Sequence, residues 1–152
     1  YLQINSDYIG CIDDTCLATG ELLPVKDTPF DFNKRKRIGQ DLEADHIQLK
    51  NAFGYDHSFV LNGTENQLTL EEPVSGRRLI ISTTAPVVQV YTGNFLKDGC
   101  IGKAGRVYEN REGVALETQL MPNAINTEEN PSTILRKGDK FESNTKYVFE
   151  IM

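Results

Sequence analysis

No stretch of this 152-residue chain is apolar for long enough to cross a bilayer as a helix. Cysteine is scarce. Cys11, Cys16 and Cys100 are an odd number with no CxxC or Cys/His finger spacing, which excludes a disulfide framework and a zinc finger and predicts free thiols in a cytoplasmic protein. Histidine occurs only at His46 and His57, in neither HExxH nor facial-triad spacing, so no metal is expected. Positive charge is in the minority: 16 Lys and Arg against 22 Asp and Glu give a net charge of −6, which argues against nucleic acid or an anionic membrane surface as partner. A neutral or cationic small ligand fits that balance better. Gly99, Gly102 and Gly105 form a glycine-rich loop with no helix after it, so the context of a phosphate loop is missing. No signal peptide is expected from the opening residues, and no internal repeat, low-complexity segment or nucleophile elbow is read along the chain. The Asn62-Gly63-Thr64 sequon is read more simply as an Asn-Gly hairpin turn.

What the chain does contain is a succession of short strand signals. The opening YLQINSDY already alternates, with Leu2 and Ile4 on one face, as if starting inside a sheet. Asp13-Asp14-Thr15 reads as a turn, and Gly20 to Pro24 as the beginning of a polar connection. That connection holds the basic run Lys34-Arg35-Lys36-Arg37, expected to be a solvated loop on an acidic domain. A short helical turn anchored by Leu42 is expected within Ile38 to His46. Further strands are predicted over Ser58 to Leu61, Gln67 to Glu71, Arg77 to Thr84, Val87 to Tyr91, the GVALETQ run from Gly113, Thr133 to Leu135, and Thr145 to Ile151. In the last, Tyr147, Phe149 and Ile151 share one face. With almost no helical periodicity, this pattern predicts an all-β chain, one antiparallel β-sandwich unit over residues 1–152.

Four polar residues stand inside apolar strand contexts: Asp56, His57, Gln89 and Glu117. Glu117 and Gln119 lie two apart in a run that also holds Val114, Leu116 and Leu120, so the carboxylate and the amide project from one face. Met121-Pro122-Asn123 then stops the strand. A carboxylate beside an amide at a strand end can hold a polyhydroxylated ligand and move one of its protons; the plainer alternative is the wet face of an ordinary strand. Asp56 and His57 are adjacent and must face opposite sides of a strand, so only one can enter a given cleft. His57 is read as a packed or capping histidine.

The ordered set Thr19-Gly20-Glu21, GYDHSFVL from Gly54, Ser75-Gly76-Arg77, QVYTGNF from Gln89, LETQ from Leu116, PNAIN from Pro122 and LRKGD from Leu135 resembles the aldose 1-epimerase, or galactose mutarotase, family. The motifs keep family order and spacing across essentially the whole chain. The resemblance implies the large antiparallel β-sandwich of that family, of which this chain would be the C-terminal half. It implies ring opening of an aldohexose, galactose or glucose, by acid/base chemistry with no metal or cofactor. Glu117 matches the general base, with partial desolvation expected to help it; Asp56 matches a carboxylate that accepts sugar hydroxyls, and Gln89 an amide near the base. In the family the acid is a histidine on segments preceding those matched here, and neither His46 nor His57 falls at its motif. The N-terminal half of the same enzyme is therefore an expected partner. Two departures stand out: FESNT from Phe141, at an expected edge strand, and Met121, where many members carry Trp on a pocket wall. Two other functions stay open, a sugar-binding sandwich without turnover and an epimerase relative acting on a hexose 6-phosphate.

Overall fold

The structure is a computed structural model, and it describes residues 1–96, 101–127 and 133–152. Among the described residues nine strands run in the order β1 (Leu2–Ile4), β2 (Ser6–Ile12), β3 (Ala18–Pro24), β4 (Asp56–Leu61), β5 (Leu68–Glu72), β6 (Arg77–Thr83), β7 (Val87–Tyr91), β8 (Ala115–Gln119) and β9 (Thr145–Ile151), with one α-helix, α1 (Ile47–Ala52), before β4. They form two antiparallel sheets, a four-stranded one in the order β1-β5-β6-β9 and a five-stranded one in the order β3-β2-β4-β7-β8.

One apolar cluster joins the sheets. Leu2 and Ile4 of β1, Leu68 of β5 and Ile81 of β6 meet Ile9 of β2, Phe59 of β4 and Val88 and Val90 of β7. Phe30, Phe32 and Tyr55 pack among them edge to face, the Phe30 and Tyr55 rings 5.4 Å apart and the Phe32 and Phe59 rings 6.0 Å apart. Tyr55 donates its hydroxyl to the Pro29 carbonyl at 2.9 Å, so burying the ring leaves no polar atom unpaired. Truncation of a ring such as Phe59 to alanine costs about 3–5 kcal/mol in a core of this kind.

The strand alternation that fills this core also builds the other face of the five-stranded sheet. With Val88 and Val90 turned inward, Val87, Gln89 and Tyr91 point outward. At one end, the segment after β8 roofs that outer face: Met121 and Ala124 pack on Val87 and Val60 as a second apolar cluster. Gly10 permits this approach, since a Cβ there would stand 3.1 Å from Met121 Sδ.

Several local expectations needed tertiary context. The opening alternation is two strands in different sheets, broken at Asn5, whose N–H goes to Gln67 O and whose C=O takes the Asn62 N–H. Gly20 to Pro24 is not a connection but most of β3, an edge strand whose mostly exposed residues carry no apolar alternation to read. The Asn62-Gly63 turn does not close a hairpin: β4 and β5 belong to different sheets, and the turn carries the chain between them. Among the described residues Thr133 to Leu135 forms no strand, and Ile134 and Leu135 are exposed. A 3₁₀ turn does form at Ile38–Gln40 and Leu42 packs on the core, but the α-helix lies just beyond, capped by His46, whose Nδ1 accepts the Gln48 N–H. Lys34, Arg35 and Arg37 of the basic run are exposed, as expected of a solvated loop, but two of its four residues also make ion pairs. Arg35 pairs with Glu71 and stacks on the Tyr1 ring, and Lys36 donates to Asp41 and to Pro29 O. β9 keeps its alternation, yet Phe149 is 78% exposed and Tyr147 and Ile151 are exposed beside it. Cys11 and Cys16 are free thiols, while Cys100, Gly99, Asn130 and Pro131 lie outside the described residues. No helix among the described residues is long and apolar enough to cross a membrane.

Candidate active-site face

Asp56, Gln89 and Glu117 come together on the outer face of the five-stranded sheet. In the β4–β7 register Asp56 pairs with Tyr91 and Ser58 with Gln89; in the β7–β8 register Gln89 pairs with Glu117 and Tyr91 with Ala115. Directly opposed residues share a face with Cβ atoms about 4.5–5.5 Å apart. Ser58, Gln89 and Glu117 thus form a row across adjacent strands, and Asp56 and Tyr91 a row beside it.

The rows are wired together. Gln89 donates from Nε2 to Asp56 Oδ1 at 2.7 Å and accepts the Ser58 hydroxyl at Oε1, which fixes the orientation of its amide. Tyr91 accepts the Phe95 N–H at 3.0 Å through its hydroxyl, tying the TGNF loop to the same face. Glu117 is exposed and has no hydrogen bond or ion pair among the described residues. The desolvation expected for it is therefore not supplied by its own strand.

Behind Ser58 and Gln89 lies a cavity of about 60 Å³ walled by Gly10, Cys11, Ile12, Cys16, Met121 and Pro122, among others. Burial pushes both thiols up, reinforced by Glu21 at Cys11 and by Asp56 and Asp13 at Cys16, so neither is activated as a nucleophile. A larger hollow of about 470 Å³, between Leu42–Asp45, α1 and Arg111, contains none of the three site residues. The smaller cavity, not the larger hollow, has Ser58 and Gln89 of the polar row on its walls.

His57 turns the opposite way, fully buried against Phe30 with ring centroids 4.7 Å apart. Burial, with a smaller contribution from His46, pushes it down to about 3, so it is neutral at ordinary pH. The packed-histidine reading of the sequence holds, and the Asp56–His57 dyad is excluded by strand geometry.

Against this geometry, the sequence profile that matches the chain is that of aldose 1-epimerase, over residues 1–148. The chain belongs to the aldose 1-epimerase family. Among relatives, galactose mutarotase of Sus scrofa is 37% identical over 99% of this chain and 43% of its own length, and aldose 1-epimerase of Escherichia coli is 34% identical over 97% and 44%. Two solved structures agree: an aldose epimerase homologue from C. elegans (TM-score 0.87, 30% identity, 99% of this chain and 45% of that one) and galactose 1-epimerase from Lactobacillus acidophilus (TM-score 0.75, 30% identity, 99% and 43%). The chain spans less than half the length of the curated relatives it matches.

Within this aldose epimerase fold, sequence reading missed Ser58 and Tyr91. The same period-two rule would have found Ser58, two residues beyond Asp56. Tyr91 reads from sequence as an ordinary strand aromatic; only the register opposite Asp56 places it on the site face. Met121 lines the small cavity, its Sδ over Gly10.

Proposed function

We propose that this chain carries the base and the sugar-holding half of a site that interconverts the α and β anomers of an aldohexose, galactose or glucose. In this reading the Glu117 carboxylate removes the proton of the anomeric hydroxyl, the bond between C1 and the ring oxygen breaks, and an acid protonates that oxygen. Rotation about C1–C2 and reversal of the steps then gives the other anomer, with no net gain or loss of protons. Asp56 accepts sugar hydroxyls at the oxygen not already taken by Gln89, and Gln89, held on Asp56 and Ser58, sits between that carboxylate and the base.

The observation that carries the reading is the alignment of Ser58, Gln89 and Glu117 across β4, β7 and β8, with Asp56 hydrogen-bonded into the row. The acid is assigned to a histidine outside this chain, as in the family resemblance. Both histidines here are engaged elsewhere, His46 capping α1 and His57 in the core. That same observation favours a second reading, in which this chain by itself binds sugar without turning it over. A hexose 6-phosphate substrate has less support, because Arg35 and Lys36 are paired on the far sheet.

Polarimetry of freshly dissolved α-D-galactose tests the proposal. A mutarotation rate accelerated by the protein and reduced about 10²–10⁴-fold in Glu117→Gln is the expected result for loss of a general base. Acceleration that survives Glu117→Gln refutes the assignment. Galactose binding without acceleration, until a segment bearing an acid histidine is supplied, supports the second reading for the isolated chain.

A further inference from the structure

The ladder between β2 and β4 stops early. It pairs Ser6 with Leu61, Tyr8 with Val60 and Ile9 with Phe59, yet β2 continues to Ile12 and β4 begins at Asp56. Over that stretch the strands remain neighbours, since a Cβ on Gly10 would lie 3.8 Å from Ser58 Cβ. The backbone groups that a longer ladder would use go to side chains instead. Ile12 gives its N–H to Gln48 Oε1 at 2.8 Å and takes Gln48 Nε2 on its carbonyl at 3.0 Å. Asp56 gives its N–H to Nδ1 of His57 at 3.1 Å, and His57 Nε2 meets Gln48 Oε1 at 3.2 Å.

These bonds define the ring's state from both sides. Nδ1 accepts a backbone N–H, so it carries no proton, and Nε2 faces an oxygen whose orientation Ile12 fixes, so it donates. The two ring nitrogens let His57 accept the N–H of the preceding residue on one side and donate to Gln48 on the other. Among the described residues, no buried side-chain polar atom here lacks a partner. The cavity bearing Gly10, Ser58 and Gln89 on its walls opens on the outer side of this gap.

We infer that His57 is a positioning residue of the sugar site: with Gln48 it replaces the end of the β2–β4 ladder, links Asp56 to Ile12 across the two strands beneath the cavity, and fixes the Asp56 backbone so that its carboxylate meets Gln89. The part of this inference that concerns sugar rests on the function proposed above. A solely space-filling His57 would tolerate an apolar residue of similar size, whereas this role requires an acceptor at the Asp56 amide.

The test compares His57→Leu with His57→Asn, whose amide oxygen can accept the Asp56 N–H without reaching Gln48. Nitrogen NMR of the wild-type ring should show the proton on Nε2. Hydrogen exchange at the Asp56 amide, measured relative to the Ile81 amide in the other sheet, should quicken about tenfold in His57→Leu and return towards wild type in His57→Asn. D-Galactose affinity should follow the same order, weakened about tenfold in the leucine variant and largely restored by asparagine. A proton on Nδ1, or a leucine variant with unchanged relative exchange and an unchanged Gln89 side-chain amide signal, overturns the inference. If the wild-type chain binds no galactose, the sugar reading fails by itself, and ring and exchange data still decide the positioning role. Should His57→Leu fail to fold, Gln48→Leu takes its place: faster relative exchange at Ile12 and a shifted His57 Nε2–H signal support the inference, and no change in either overturns it.

Discussion

Acidification should destabilise this protein through one buried side chain. His57 has an ordinary value of 6.5 and is pushed down to about 3 in the folded chain by burial and, less, by His46. A histidine lowered on folding stays neutral while its unfolded counterpart takes up a proton, so stability falls as pH drops below 6.5 and levels off below the folded value. Integrating the linkage between these two values gives a loss of roughly 2–3 kcal/mol between about pH 7.5 and about pH 4.5. That is a large share of the roughly 5–15 kcal/mol available to a domain. Urea unfolding at several pH values, on the wild type and on His57→Asn, isolates the effect, because asparagine does not titrate. The difference in unfolding free energy between the two should shrink by roughly 2–3 kcal/mol over that interval. Parallel stability curves would refute the argument, since they would mean that the ring is protonated in the native protein or solvated on both sides of the transition.

Glu71 titrates in a lower window. Its hydrogen bond from Arg35, then that from Arg78, holds its carboxyl below the usual 4.5 despite burial, so the stability advantage over Glu71→Gln should be full above that value and vanish as pH falls through the lower folded value, as measured by the same urea series. Gln89→Leu removes the donor to Asp56 and the acceptor of the Ser58 hydroxyl, and should cost about 1–3 kcal/mol in urea unfolding and weaken galactose binding in a calorimetric titration. Gly54→Ala should lower the melting temperature sharply: Gly54 has φ of +146°, and a Cβ there would stand 2.4 Å from Asn94 Oδ1, inside the bonds that Asn94 makes to Ala52 O and Tyr55 O.

The candidate site residues were legible because each is a polar side chain in an apolar strand, and period two tells which of them share a face. That logic separated Asp56 from His57 before any coordinates, and placed Glu117 with Gln119 on one side of β8. It gave no account of partners across strands. Ser58 beneath Gln89, Tyr91 beside Asp56 and Met121 over Gly10 are contacts between segments distant in sequence. β3 escaped notice because an exposed edge strand has no buried face to write a pattern, and the Asn62-Gly63 turn misled because a local turn signal does not say whether the next strand pairs with the last.

By itself the sequence determined the all-β class, most strands and the two carboxylates and the amide that stand on the polar face, Asp56, Glu117 and Gln89, because side-chain alternation is a property of each strand alone. Tertiary structure decided the division into two sheets, the register that lines Ser58, Gln89 and Glu117 in a row, and the role of His57, because strand pairing and burial depend on what lies opposite. It also decided that Glu117 stands exposed: one strand can aim a carboxylate, but only neighbouring elements can take it out of water.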